Sequence, residues 1–133
     1  MARYFFRKNQ RIRSQADFRR VIGRRLSVRR GMMQLYMAPN GLKKPRFGVS
    51  VAKKGAKAVI RNRLKRLGRE AFRLSQHQIP ADFDYVLIFT PKMSKKKEEG
   101  TIELPTFEEV RETFLDMVYT LWSRRTAFEN DGA

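Results

Sequence analysis

Apolar positions recur at helical spacing in three stretches of this chain, alternate in two others and run almost unbroken in a sixth. After Ser14, the residues Phe18, Val21 and Ile22 share one face, while Arg19, Arg20 and Arg24 point elsewhere. That spacing predicts a short helix, with Ser14 as its cap and Asp17 as the acid of a capping box. Ile60, Leu64, Leu67, Ala71 and Leu74 recur at alternating intervals of four and three. At roughly 100° per residue they gather on one side of a second helix. Thr106 and Glu109 form a further capping box behind Pro105, and Val110, Phe114, Met117, Val118 and Leu121 make the apolar stripe of a last helix.

Strand alternation runs from Met32 to Ala38, with Met33, Leu35 and Met37 on one side and Met32, Gln34 and Tyr36 on the other. It returns from Arg46 to Ala52, where Phe47, Val49 and Val51 oppose Gly48, Ser50 and Ala52. A face of such small residues is expected to admit a close neighbour, either a helix or a ligand. Asp84 to Phe89 is almost continuously apolar, which predicts a strand buried on both faces. Pro39-Asn40-Gly41 is a turn signal, and Ile79 to Asp82 reads as a loop. The fold class is therefore α+β, and 133 residues suit a single small domain. Residues 1–10 and 126–133 are expected to be flexible, with 93–104 an extended polar loop.

Charge changes the picture. Residues 1–75 hold 23 Lys and Arg against only Asp17 and Glu70, whereas residues 76–133 hold 7 against 11 acids. The net charge of +17 thus comes entirely from the front of the chain. A folded domain gains nothing by repelling itself, so the surface implies a polyanionic partner, with nucleic acid foremost. Without a Cys, disulfides, thiolate zinc sites and Cys nucleophiles are excluded. The lone His77 excludes two-histidine metal motifs and reads as a solvated loop residue. No apolar run reaches the length of a membrane span and no signal segment is visible, so a cytoplasmic location without membrane contact is expected.

The second predicted helix carries the strongest signal. Arg61, Lys65, Arg69 and Arg73 form a spine at four-residue spacing, with Asn62 and Arg66 beside it. Like charges so placed destabilise an isolated helix by about 0.2–0.5 kcal/mol per pair. Gly68 adds about 1 kcal/mol unless packing requires a small residue there. A phosphate backbone would relieve the charge cost, and Arg offers bidentate contacts to phosphate. Asn62 places a neutral amide inside the ridge, where it can orient a phosphate or a hydrated metal that another charge would repel. The late carboxylates Glu108, Glu109, Glu112 and Asp116 fit the solvent side and first turns of the last helix, so no protein-borne catalytic residue or metal site is expected.

The segment Arg46-Phe47-Gly48-Val49-Ser50-Val51-Ala52-Lys53-Lys54, followed by Ala58-Val59-Ile60-Arg61-Asn62-Arg63-Leu64-Lys65-Arg66-Leu67 and Arg69-Glu70-Ala71-Phe72, resembles the signature of the bacterial ribonuclease P protein subunit. Residues 61–66 match that family's Arg-Asn-Arg motif, at the expected distance after a Gly-containing strand and Lys-Lys. The likeness extends from about Arg11 to Arg125 and is strongest over 46–72. It implies the order α-β-β-β-α-β-α around a central sheet, with a left-handed βαβ crossover containing the basic helix. It also implies a role beside a catalytic RNA that removes the 5′ leader of precursor tRNA, using Mg²⁺ bound through that RNA. By position, Phe18, Tyr36, Lys53 and Lys54 correspond to the cleft that meets the leader. Arg61, Asn62, Arg63, Lys65, Arg66 and Arg69 correspond to the helix that faces the catalytic RNA. No obligate protein partner is implied.

Three departures from the family pattern stand out. Ile22 occupies a position where a second cleft aromatic is common, Gly55 replaces a larger aliphatic residue, and the segment from Lys92 to Leu104 is long and charged. Two other readings fit the composition: a basic ribosomal protein, and a DNA-binding regulator with the basic helix in a major groove. The latter fits less well, because a recognition helix offers a few base-reading side chains rather than an unbroken cationic spine.

Overall fold

The computed structural model describes residues 6–53, 56–91 and 104–131, with side chains to 125 in the last segment. Lys54, Gly55 and nearly all of the expected 93–104 loop lie outside the described residues. The elements in chain order are α1 (Gln15–Gly23), β1 (Ser27–Arg30), β2 (Met33–Pro39), β3 (Arg46–Val51), α2 (Ala58–Ser75), β4 (Phe83–Phe89) and α3 (Phe107–Asp131). This is the α-β-β-β-α-β-α order of an α+β domain. The strands lie in the order β1-β2-β4-β3. β1 and β4 both pair antiparallel with β2, while β3 runs parallel to β4 and reaches it through α2.

Local signals set most boundaries. Ser14 Oγ accepts the Asp17 N–H at 3.1 Å, but the Asp17 carboxylate takes the Ser14 hydroxyl rather than completing the box on the backbone. The box at α3 is complete: Thr106 N–H donates to Glu109 Oε1 at 3.3 Å, and Glu109 N–H to Thr106 Oγ1 at 3.1 Å. β1 is the strand that alternation did not reveal, because only Val28 of its four residues is buried and it ends in Arg29-Arg30. Its turn into β2 uses Gly31 at φ +58°, the conformation a two-residue type II′ hairpin needs first.

The sheet is covered unequally. Its main face carries Met33, Leu35 and Met37 of β2, Phe47 and Val51 of β3, and Tyr85, Leu87 and Phe89 of β4. α2 packs over β3, and α3 over β1 and β2. Phe72 of α2 stacks on Phe47 with ring centroids 4.9 Å apart, and Phe114 of α3 meets Phe47 edge-on at 6.0 Å. Phe72 lies outside the stripe expected from spacing, whereas Leu74, expected inside it, is only half-buried. Gly68 is needed small, since a Cβ there would stand 3.3 Å from each of Leu87, Phe89 and Val49. Within the stretch expected to be flexible, Phe6 packs on this core and Gln10 is buried, donating to Gln76 Oε1 at 3.0 Å.

The second face holds a smaller apolar cluster under α1: Ile12, Val21, Ala38 and Val86, flanked by Phe18, Ile22, Tyr36 and Ile88. Beside it lies an ionic brace that the sequence did not announce. The fully buried Asp84 accepts from Arg46 Nε at 2.8 Å and Nη2 at 2.6 Å, from Asn40 Nδ2 at 2.9 Å, and from Arg20 of α1. Asp17 of α1 lies 3.8 Å from Arg46, so helix and sheet are cross-linked by charges in both directions. Asp84 and Asp17 in turn hold the Arg46 pKa above its ordinary value, against the opposing effect of burial.

Two stability outcomes follow from this packing. Leu64→Ala removes a fully buried side chain and should cost ~2–5 kcal/mol in a urea titration, against less than about 0.5 kcal/mol for the exposed Arg63→Ala. Arg46→Met should cost about 3 kcal/mol, because it strips a buried carboxylate of its bidentate partner. Arg20→Met should cost less, since the Arg20 side chain is 40% exposed and Asp84 keeps its other partners.

Candidate nucleic-acid interface

The rotation of α2 decides where its cations go. With Leu64, Gly68, Ala71 and Phe72 buried, Arg61 and Lys65 emerge half-buried along one flank, and Asn62, Arg63, Arg66 and Arg69 are exposed. The expected four-residue spine is therefore divided. Arg61 and Lys65 face α1, while Asn62, Arg63 and Arg66 line a shallow groove with the exposed Val59 on the outer side. Arg73 is tied to the only acid of the helix, Glu70, by a 3.0 Å bond from Nε. That bond holds the Glu70 carboxyl below its usual pKa.

Between α1, the second half of β3 and the first half of α2 lies a cleft of about 400 Å³. Its apolar floor is Phe18 and Ile22 of α1 with Val49 of β3, and Ser50 supplies a hydroxyl. Its walls are Arg13, Arg19, Lys53, Arg61 and Lys65, with no carboxylate among the lining residues. Gly48 sets the depth. A Cβ at that position would lie 2.8 Å from the tip of Phe18 and 3.0 Å from Ile12 Cβ. The close neighbour expected at the small face of this strand is thus α1, and Phe18 is half-buried, its ring tip against Gly48 while it also lines the cleft.

Of the residues expected at a leader cleft, Phe18 and Lys53 come together here, and Lys54 lies outside the described residues. Tyr36 is not among the lining residues. It sits half-buried on the same sheet face, opposite Val86 on β4, which in turn faces Gly48 on β3. Arg61 and Lys65, expected on the ridge, also belong to the cleft. Sequence reasoning missed Arg13 and Arg19, which carry no motif and reach the cleft only because α1 and the strand-like segment before it are docked on β3. That docking rests on the Ile12 N–H donating to the Phe47 carbonyl at 2.9 Å. It also brings Arg11 and Arg13 up to Arg69, whose pKa is held below the usual guanidinium value by partial desolvation and by those two cations.

The late acids lie where expected. Glu108, Glu109, Glu112 and Asp116 are exposed on α3, with Asp116 accepting from Arg30 at 3.3 Å. Among the described residues no three of His, Asp and Glu gather in a group that could hold a metal ion, and no helix is long and apolar enough to cross a membrane.

Known proteins share both this sequence and this shape. The ribonuclease P family matches residues 6–113. The ribonuclease P protein component of Dictyoglomus thermophilum is 34% identical over 131 residues, covering 97% of this chain and 98% of that protein. The corresponding protein of Clostridium kluyveri is 42% identical over 90 residues, 68% of this chain and 78% of its own. Among solved structures, the RNase P protein from Thermotoga maritima superposes with a TM-score of 0.65 at 34% identity, over 81% of this chain and 94% of that one. The Staphylococcus aureus RNase P protein gives 0.65 at 27% identity, over 84% and 94%. Matched along most of its length in sequence and in fold, the chain belongs to the ribonuclease P protein family.

Proposed function

We propose that this protein is the RNA-binding subunit of a ribonuclease P holoenzyme, contacting the catalytic RNA with the outer face of α2 and the 5′ leader of precursor tRNA with the cleft. The observation that carries this reading is the cleft itself: five cations around an apolar floor, with no carboxylate in its lining. Single-stranded RNA is held by that combination, bases lying on apolar or aromatic surface while the backbone follows the cationic walls. Structured RNA is met instead by a broader row of exposed cations, such as Arg63, Arg66 and Arg69 provide. The two surfaces share one helix, so a leader seated in the cleft lies beside whatever RNA covers the ridge.

Catalysis in this reading belongs to the partner RNA, which supplies phosphodiester hydrolysis with the Mg²⁺ it binds. Several of the described carboxylates are already engaged within the fold. Asp84 is consumed by Arg46, Arg20 and Asn40, Glu70 by Arg73, Asp116 by Arg30, and Glu109 by its capping bond. What this chain contributes is position: it fixes the leader relative to the RNA subunit and thereby promotes its endonucleolytic removal, giving the mature 5′ end. The partners are the catalytic RNA and precursor tRNA, in the cytoplasm, with no further protein required.

The RNA-free recombinant protein is expected to leave precursor tRNA uncut at any Mg²⁺ concentration, and to stimulate leader removal once its RNA subunit is added. Metal-dependent cleavage by the protein alone, after purification through two unrelated tags, would contradict the reading. The division of α2 gives a finer outcome. Arg61→Ala should lower holoenzyme affinity for leader-bearing but not leaderless tRNA, and flatten its salt dependence by about one charge. Asn62→Ala, on the outer groove alone, should instead weaken assembly with the RNA subunit and treat both tRNAs alike. Equal effects of the two substitutions on the two ligands would remove the distinction between cleft and ridge.

A further inference from the structure

Around the other flank of α2 lies a second basic hollow, of about 720 Å³. Its floor is apolar and half-buried, made by Phe6, Leu67 and Phe107. Its rim carries Arg11, Arg63, Arg66 and Arg69, and the one carboxylate there, Glu70, is bonded to Arg73. Phe6 is held from beneath by Phe72 at 5.3 Å and Phe47 at 6.0 Å, and the Arg11 guanidinium lies over its ring at 4.9 Å. A smaller hollow of about 270 Å³ joins this site to the cleft. It shares Arg13 and Val49 with the cleft, and Phe6, Arg11 and Arg69 with the back hollow. The cationic track is therefore continuous around the edge of β3.

We propose that the back hollow is a nucleotide pocket, seating one unstacked base of a single-stranded RNA whose backbone runs from the cleft over Arg13, Arg11 and Arg69. The proposal rests on the RNA-binding reading above and extends it to a site with its own ligand. An inorganic anion would use the rim and leave the apolar floor without purpose. A base on a phosphate backbone uses both, through stacking on the floor and bidentate contacts at the rim. The volume lies within the range of small-ligand pockets. The mutual crowding of Arg11, Arg13 and Arg69 also favours an anion there, and none of the three takes part in a described ion pair.

The test is photocrosslinking of the full-length, RNA-free protein to a single-stranded oligonucleotide of about twelve nucleotides carrying 4-thiouridine, a length within the range of single-strand sites. Crosslinks are expected in the peptides containing Phe6 and Phe107 as well as in those of the cleft. Phe107→Ala should weaken the oligonucleotide about tenfold while leaving inorganic polyphosphate of equal charge unaffected, because only the base uses the floor. Crosslinks confined to the cleft peptides would overturn the pocket and leave the cleft reading standing, whereas crosslinks in neither would overturn both. Equal loss of polyphosphate would assign Phe107 to the fold and sink the proposal. The wild-type crosslinks decide the matter even where the variant does not fold.

Discussion

The close seating of α2 on the sheet is the constraint on which the rest of this surface depends. At Gly68 the helix backbone comes so near that a methyl group would press on Leu87, Phe89 and Val49 together, at 3.3 Å from each. Phe72, stacked on Phe47, then fixes the rotation of the helix about its own axis. Rotation matters as much as distance, because successive residues differ by about 100°. Turned by one residue, α2 would bury Lys65 and Arg69 against the core. As it stands, each cation has one flank: Arg61 and Lys65 toward α1, Arg63 and Arg66 away from it. The glycine that weakens the helix locally is thus what allows the ridge to exist.

The cleft needs a second fixed wall, and the Asp84 brace supplies it. A buried carboxylate is stable only when its partners are well placed, and here they come from α1, β3 and the turn after β2. That requirement orients α1 as well as attaching it. With Arg20 held to Asp84 and Asp17 near Arg46, Phe18 has one place to go, the gap over Gly48. Ile22, one turn further on, then completes the cleft floor. An aliphatic side chain at that point leaves the floor apolar but with less ring surface for a base, so the shared backbone track gains weight relative to stacking.

A net charge of +17 is costly to a compact domain, and this structure does little to offset it internally. Its described ion pairs lie mainly at the brace, within α2 and between Arg30 and Asp116, and most of the cleft and ridge cations take part in no described ion pair. Fold and charge are in this sense separable. The core closes on Phe47, Phe72, Tyr85 and Phe114 regardless of the surface, and the surface stores repulsion that a polyanion relieves.

By itself the sequence determined the element types, the charge asymmetry and the family. Each of these follows from local spacing or from a contiguous motif: period two in β2 and β3, the cap at Ser14 and the box at Thr106, the run from Arg61 to Arg66. β1 escaped that reading because a four-residue edge strand with one inward side chain has too short a period to detect. Phe72 escaped because it lies at the border of the helical stripe, and an aromatic partner some 25 positions away, Phe47, draws it inward. Only the tertiary structure decided that the cationic spine divides, that Arg13 and Arg19 join the cleft while Tyr36 stands beside it, and that Asp84, at the start of β4, anchors a brace. These are relations between residues distant in the chain. They depend on how rigid elements are rotated and seated against one another, and packing sets that geometry where spacing along one segment cannot.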